Sequence, residues 1–166
     1  MKRLFLTALF VAATILTVHA QDASVPAEGI DWHPFEEAME LARKQKKKVI
    51  VDIYAPWCTW CRKLQREVYT DPDIREYVNK NFVITRLDGE NKEDTVRFKE
   101  YSLTPSELAL GFGLQGYPTT VFLDAENEYI TRLPGFADVP EFKRVLAYIG
   151  SDAFVDKSYQ EFVGTK

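Results

Sequence analysis

Cys58 and Cys61 are the only two cysteines of this 166-residue chain, and they stand three positions apart. Chemistry accounts for that spacing better than stapling does, because chain-entropy reasoning gives so small a ring roughly 2 kcal/mol against about 3 for a 15-residue loop. In disulfide exchange the thiolate attacks, so the first sulfur needs its pKa lowered. A helix start does this with unpaired N–H groups and the positive end of the helix dipole. Leu64, Val68 and Tyr69 follow the pair with helical spacing. That places Cys58 at a helix start and Cys61 almost one turn on, close enough to attack a mixed disulfide at Cys58. Metal is the weaker alternative: a zinc site takes about four ligands, and His33 is the one further soft ligand of a processed chain. A c-type haem motif requires His directly after the second cysteine, where Arg62 stands.

The segment leading into the pair, residues 49 to 55, is a short apolar run rich in β-branched side chains, as expected of a strand buried on both faces. Asp52 is its anomaly. Desolvation raises the pKa of a carboxylate in such a strand, toward the range where it can accept a proton near neutral pH. The structural alternative is an ion pair with a neighbouring cation.

Around this strand the sequence predicts alternating elements. Asp31 or His33 caps a helix with Pro34 in its first turn and an apolar stripe of Phe35, Ala38, Met39, Leu41 and Ala42. The basic run Arg43, Lys44, Lys46, Lys47 and Lys48 suits the end of that helix, with anion binding as the alternative. Thr70-Asp71-Pro72 caps a further helix with Ile74, Tyr77 and Val78 on its inner face, and 82 to 87 reads as a second strand. The charged stretch from Asn91 to Tyr101 is expected to be helical. Thr104-Pro105-Ser106-Glu107 is a capping box opening a helix through Phe112, with Gly111 and Gly113 marking its end. Residues 119 to 123 and 129 to 133 form a hairpin, and 140 to 149 a closing helix. This order gives an α/β fold with a central mixed sheet flanked by helices.

Lys2 and Arg3, the apolar stretch from Leu4 to Val18 and the small-residue exit at Ala20 have the layout of a secretory leader, cleaved after Ala20. An uncleaved membrane anchor is the alternative reading. The remaining expectations are a polar linker at 21 to 30, one domain at 31 to 150, and an extension at 151 to 166 whose Phe154, Tyr159, Phe162 and Val163 pack as a further helical turn or two. The whole chain carries a net charge of −4. Losing Lys2 and Arg3 makes it more acidic still, and without an extended basic face nucleic acid is not expected as a partner. Export also makes an oxidised cysteine pair chemically possible.

Val51-Asp52-Ile53-Tyr54-Ala55-Pro56-Trp57-Cys58-Thr59-Trp60-Cys61, followed by Gly116-Tyr117-Pro118-Thr119, resembles the thioredoxin family over most of residues 31 to 150. The opening helix and Thr70-Asp71-Pro72 are particularly similar to the C-terminal thioredoxin-like domain of the membrane thiol:disulfide interchange reductases of the bacterial periplasm. The resemblance implies a thioredoxin fold, reductive exchange, and redox partners in place of a dissociable cofactor. It implies that Pro118 is cis and faces the cysteines, against the alternative of a trans proline starting an edge strand. Asp52 matches the family's buried carboxylate, which implies that it takes the proton of the resolving thiol of Cys61, and Arg86, at the family's lysine position, is the cation with which it would pair. Trp57 is expected to pack, Trp60 to face substrate, and both join Tyr117 and Pro118 as candidate substrate-binding residues.

Three departures stand out. Gln65 replaces a second acidic residue of the interchange reductases, Thr59-Trp60 matches neither thioredoxin nor disulfide isomerases, and the stretch from Asn91 to Gln115 is longer than in a minimal thioredoxin. The expected function is a monomeric, periplasmic or secreted thiol-disulfide oxidoreductase that reduces disulfide-bearing proteins through Cys58 and Cys61 and is recharged by a membrane-bound electron donor. It uses no metal or cofactor. A disulfide oxidase or isomerase, or a non-catalytic binding module, is the alternative.

Overall fold

The structure, a computed structural model, describes residues 23–164. The leader expected at residues 1 to 20 lies outside them. A two-residue strand, β1 (Trp32–His33), precedes α1 (Phe35–Gln45), β2 (Lys48–Tyr54) and α2 (Thr59–Lys63). The helical path continues through a π-helical turn (Leu64–Val68) before α3 (Pro72–Asn81) and β3 (Phe82–Asp88). Then follow β4 (Val96–Phe98), β5 (Tyr101–Leu103), α4 (Pro105–Gly111), β6 (Thr119–Leu123), β7 (Tyr129–Pro134) and α5 (Val139–Gly150). A 3-10 turn (Ala153–Val155) and α6 (Tyr159–Val163) close the described chain.

The main sheet has the order β1-β3-β2-β6-β7. β2 is parallel to β3 and antiparallel to β6, so the sheet is mixed, as expected. Side chains of a strand alternate between faces. Val49, Val51 and Ile53 enter the core layer with α1 and α4, while Ile50 enters the opposite layer with α3, α5 and the π turn. Asp52 has the parity of Ile50, so it points toward the π turn, and register sets it opposite Arg86 on β3 and Thr120 on β6.

Capping follows the sequence at α3 and α4, and a third cap, not read from the sequence, starts α5. The Asp71 side chain accepts from the N–H groups of Asp73 and Ile74, Thr104 and Glu107 form the capping box, and Asp138 caps α5. At α1 the expectation fails: Pro34 is the N-cap, no side chain caps the helix, and His33 belongs to β1, its ring 3.1 Å from Glu37 Oε1. A two-residue strand has too little periodicity to be read from sequence.

The expected helix between Asn91 and Tyr101 is a β-hairpin. The charges there come without an apolar stripe at helical spacing. Instead Val96 and Phe98 alternate in strand fashion and pack with Leu103 against the α1–α4 layer, Phe98 lying 5.2 Å from the Phe112 ring, and the turn passes through Lys99 in the left-handed region. Residues 151 to 164 form the expected helical turns. Tyr148 of α5 meets the rings of Phe154, Tyr159 and Phe162 at 6.4, 5.3 and 5.2 Å.

Candidate active site

Cys58 occupies the N-cap of α2, and its Sγ accepts the Cys61 N–H at 3.0 Å. The sulfurs form a disulfide of 2.12 Å. Both residues are nearly covered, Cys61 at 1% and Cys58 at 3% exposure. In the reduced state the same N–H is positioned to stabilise a Cys58 thiolate, since a hydrogen bond to the charged form lowers a pKa.

Gln65 follows Cys61 by four positions, so both lie on one face of the helical path, and the Gln65 Nε2 donates to Asp52 Oδ2 at 2.7 Å. Gln65 thereby ties the carboxylate to the helical path that carries Cys61. Arg86 Nε donates to the same Oδ2 at 2.9 Å, so the ion pair considered from sequence is present, while Oδ1 is buried without a hydrogen-bond partner among the described residues. Burial pushes the Asp52 carboxyl above its ordinary value, outweighing the Arg86 charge and the hydrogen bonds from Arg86 and Gln65. A raised pKa and an ion pair thus coexist in one side chain.

Residues 23 to 30, expected to be a linker, are a packed strap behind the site. Ala23 is fully buried beside Ala55, Cys58 and Cys61, and its N–H donates to the Pro56 carbonyl at 3.3 Å. The Arg86 guanidinium donates to the carbonyls of Ala23 and Ser24 at 2.6 and 2.8 Å and lies 4.0 Å from the Tyr54 ring centroid. Ala27 N–H donates to Gln65 Oε1 at 2.8 Å, and the Trp32 ring N–H to the Ala27 carbonyl at 3.0 Å. The sequence signal for the strap was slight, a few small apolar residues among polar ones.

Above the cysteines the surface is aromatic. Trp57, expected to pack, is 67% exposed, with its ring edge-on to Tyr117 at 5.6 Å. Tyr117 donates to Glu90 at 2.9 Å; burial and that carboxylate push its pKa up, so it remains a donor. The Tyr117–Pro118 bond is cis. Trp60 is 55% exposed against Phe136, and Lys63 Nζ lies 5.1 and 4.7 Å from their ring centroids. Among the described residues no cluster of His, Cys, Asp and Glu could hold a metal, and no helix is long and apolar enough to cross a membrane.

The thioredoxin-like domain family matches residues 35–150, most of the chain. The chain belongs to the thioredoxin-like family. It is 27% identical over 139 residues to the thiol:disulfide interchange protein DsbD of Pseudoalteromonas atlantica, covering 76% of this chain but only 22% of that relative's length. It is 23% identical over 114 residues to the disulfide bond reductase DsbH of Chlamydia pneumoniae, covering 68% of each. A thioredoxin from Thermus thermophilus superposes with a TM-score of 0.61 at 27% identity, over 73% of this chain and 87% of that one. The family is one of thioredoxin-like disulfide oxidoreductases, and this chain carries its Cys-x-x-Cys pair, closed as a disulfide.

Proposed function

We propose that the chain is an exported reductase that opens disulfides in extracytoplasmic proteins. The observation that supports this reading is a Cys58–Cys61 pair at a helix start, with the buried Asp52 carboxylate held through Gln65 to the same helical path. The Cys58 thiolate attacks one sulfur of the substrate disulfide. One substrate thiolate leaves, and a mixed disulfide joins Cys58 to the other sulfur. Asp52 takes the proton of the Cys61 thiol, and the Cys61 electron pair attacks Cys58 Sγ. The second substrate thiolate leaves, the Cys58–Cys61 disulfide closes, and two electrons have passed to the substrate. Trp57, Trp60, Tyr117 and Pro118 flank the sulfurs and hold the substrate strand. A membrane-bound dithiol donor restores the pair, and the reductive direction is supported by the relative named a disulfide bond reductase, DsbH.

Equilibration against glutathione tests the direction. A potential near about −270 mV, that of a thioredoxin, is expected, and one near about −120 mV, that of a strong dithiol oxidant, would reverse the assignment.

A further inference from the structure

Gln65 is a long amide at 6% exposure, and a polar group so hidden needs partners for both of its ends. It has them from opposite directions: Oε1 accepts from Ala27 N–H at 2.8 Å, and Nε2 donates to Asp52 Oδ2 at 2.7 Å. A backbone N–H can only donate, so Ala27 dictates which end of the amide is oxygen and turns the NH2 group toward the carboxylate. Flipping the amide would face donor with donor and acceptor with acceptor. Ala27 is itself fixed, because its carbonyl holds the Trp32 ring N–H while Arg86 ties down the carbonyls of Ala23 and Ser24. The π turn contributes as well, burying the adjacent residues Leu64 and Gln65 together and letting Gln65 reach both strap and strand.

The two oxygens of Asp52 are consequently unlike. Oδ2 receives Gln65 and Arg86, while Oδ1 is buried and receives nothing among the described residues. We propose that Gln65 is a positioning residue for Asp52: oriented by the Ala27 N–H, it holds Oδ2 as an acceptor and leaves Oδ1 as the atom that takes the Cys61 proton. This rests on Asp52 being the base for Cys61. The groups that interact with the carboxylate are Arg86 from β3 and Gln65 and Tyr69 from the π turn and its end, and α2, which runs into that turn, carries the cysteine pair. β6 sets the uncharged Thr120 opposite Asp52, and the strap supplies the carbonyls that hold Arg86.

The test follows the Asp52 carboxyl carbon by NMR through a pH titration of the full chain, oxidised and reduced, in wild type, Gln65→Met and Gln65→Glu. Met keeps the length and removes the donor, and losing a hydrogen bond to the charged form should raise the Asp52 midpoint by about one pH unit, a tenfold change in proton affinity. Glu keeps an acceptor for Ala27 and sets a like charge against Asp52, so the pair should titrate in two steps with the upper one above the wild-type midpoint. Release of a trapped mixed disulfide should shift its pH profile in the same direction. A midpoint unmoved or lowered in both variants, whatever their melting temperatures, overturns the positioning role. A raised midpoint with an unshifted release profile overturns instead the assignment of Asp52 as base.

Discussion

The two sides of the cysteine pair are built on opposite principles. Beneath it, Asp52 Oδ2, the Arg86 guanidinium, both ends of the Gln65 amide and the carbonyls of Ala23, Ser24 and Ala27 have fixed partners, while Asp52 Oδ1 is buried without a hydrogen-bond partner among the described residues. Above it, Trp57 and Trp60 stand largely in solvent, held by ring contacts rather than by hydrogen-bond networks. Proton handling requires one geometry and a low local dielectric, whereas a surface that meets unrelated disulfides benefits from broad apolar contacts. The difference also separates observables: changes below should alter pH dependence, and changes above should alter dependence on substrate.

The largest effect is expected at the boundary itself. Changing Cys58 to Ser should abolish exchange, while changing Cys61 to Ser should leave the first attack intact and accumulate mixed disulfides, separable on non-reducing gels and identified by mass. Equal trapping by both variants would remove the distinction between attacking and resolving sulfur.

Asp52→Asn probes the lower side. Release of the mixed disulfide should slow by about 100-fold at pH 6 to 7 and recover toward pH 9 as the Cys61 thiolate forms unaided. Stability should move the other way. The folded-state carboxyl is raised above its ordinary 3.8, so the folded protein holds this proton more tightly than the unfolded chain does. The resulting stabilisation is complete below the unfolded value and lost as pH rises through the folded one. Asn cannot ionise, so wild type should lose ground to the variant in denaturant melts across that window. A variant that weakens as pH rises would instead make the Arg86 pair the dominant role.

Trp60→Ala probes the upper side and should be the mildest. Activity toward a protein disulfide should fall by about 5- to 30-fold, the scale of losing about 1–2 kcal/mol of contact. A small-molecule disulfide should be reduced at the wild-type rate, with stability changed by no more than about 0.5 kcal/mol. Equal loss on both substrates would place Trp60 in the chemistry rather than in recognition.

The sequence carried the cysteine pair, Asp52 and Pro118 clearly, because each rests on local spacing or on a short motif. The strands 48 to 54 and 119 to 123 were equally plain, since both are continuous apolar runs buried on each face. What escaped depended on distant partners. Gln65 looked like a missing acid until Ala27, 38 positions away, was seen to fix its amide. The strap looked like a linker because Ala23 and Ala27 gain their burial from residues over 30 positions further on. In the Asn91 to Tyr101 segment the strand signal is only the two-residue alternation of Val96 and Phe98, set among charges that suit a solvated helix equally well.

The strap also decides how the protein can be attached to anything else. Ala23 lies against the cysteines, whereas Asp152 pairs at 2.7 Å with Lys48, at the far end of β2, and Phe162 packs nearby on Tyr148. A strand of seven residues separates those two ends by about 20 Å. A bead, dye or fused domain joined behind α6 is attached at the end of the sheet away from the sulfurs. The same cargo joined ahead of Ala23 is attached to the segment packed directly against the cysteine pair.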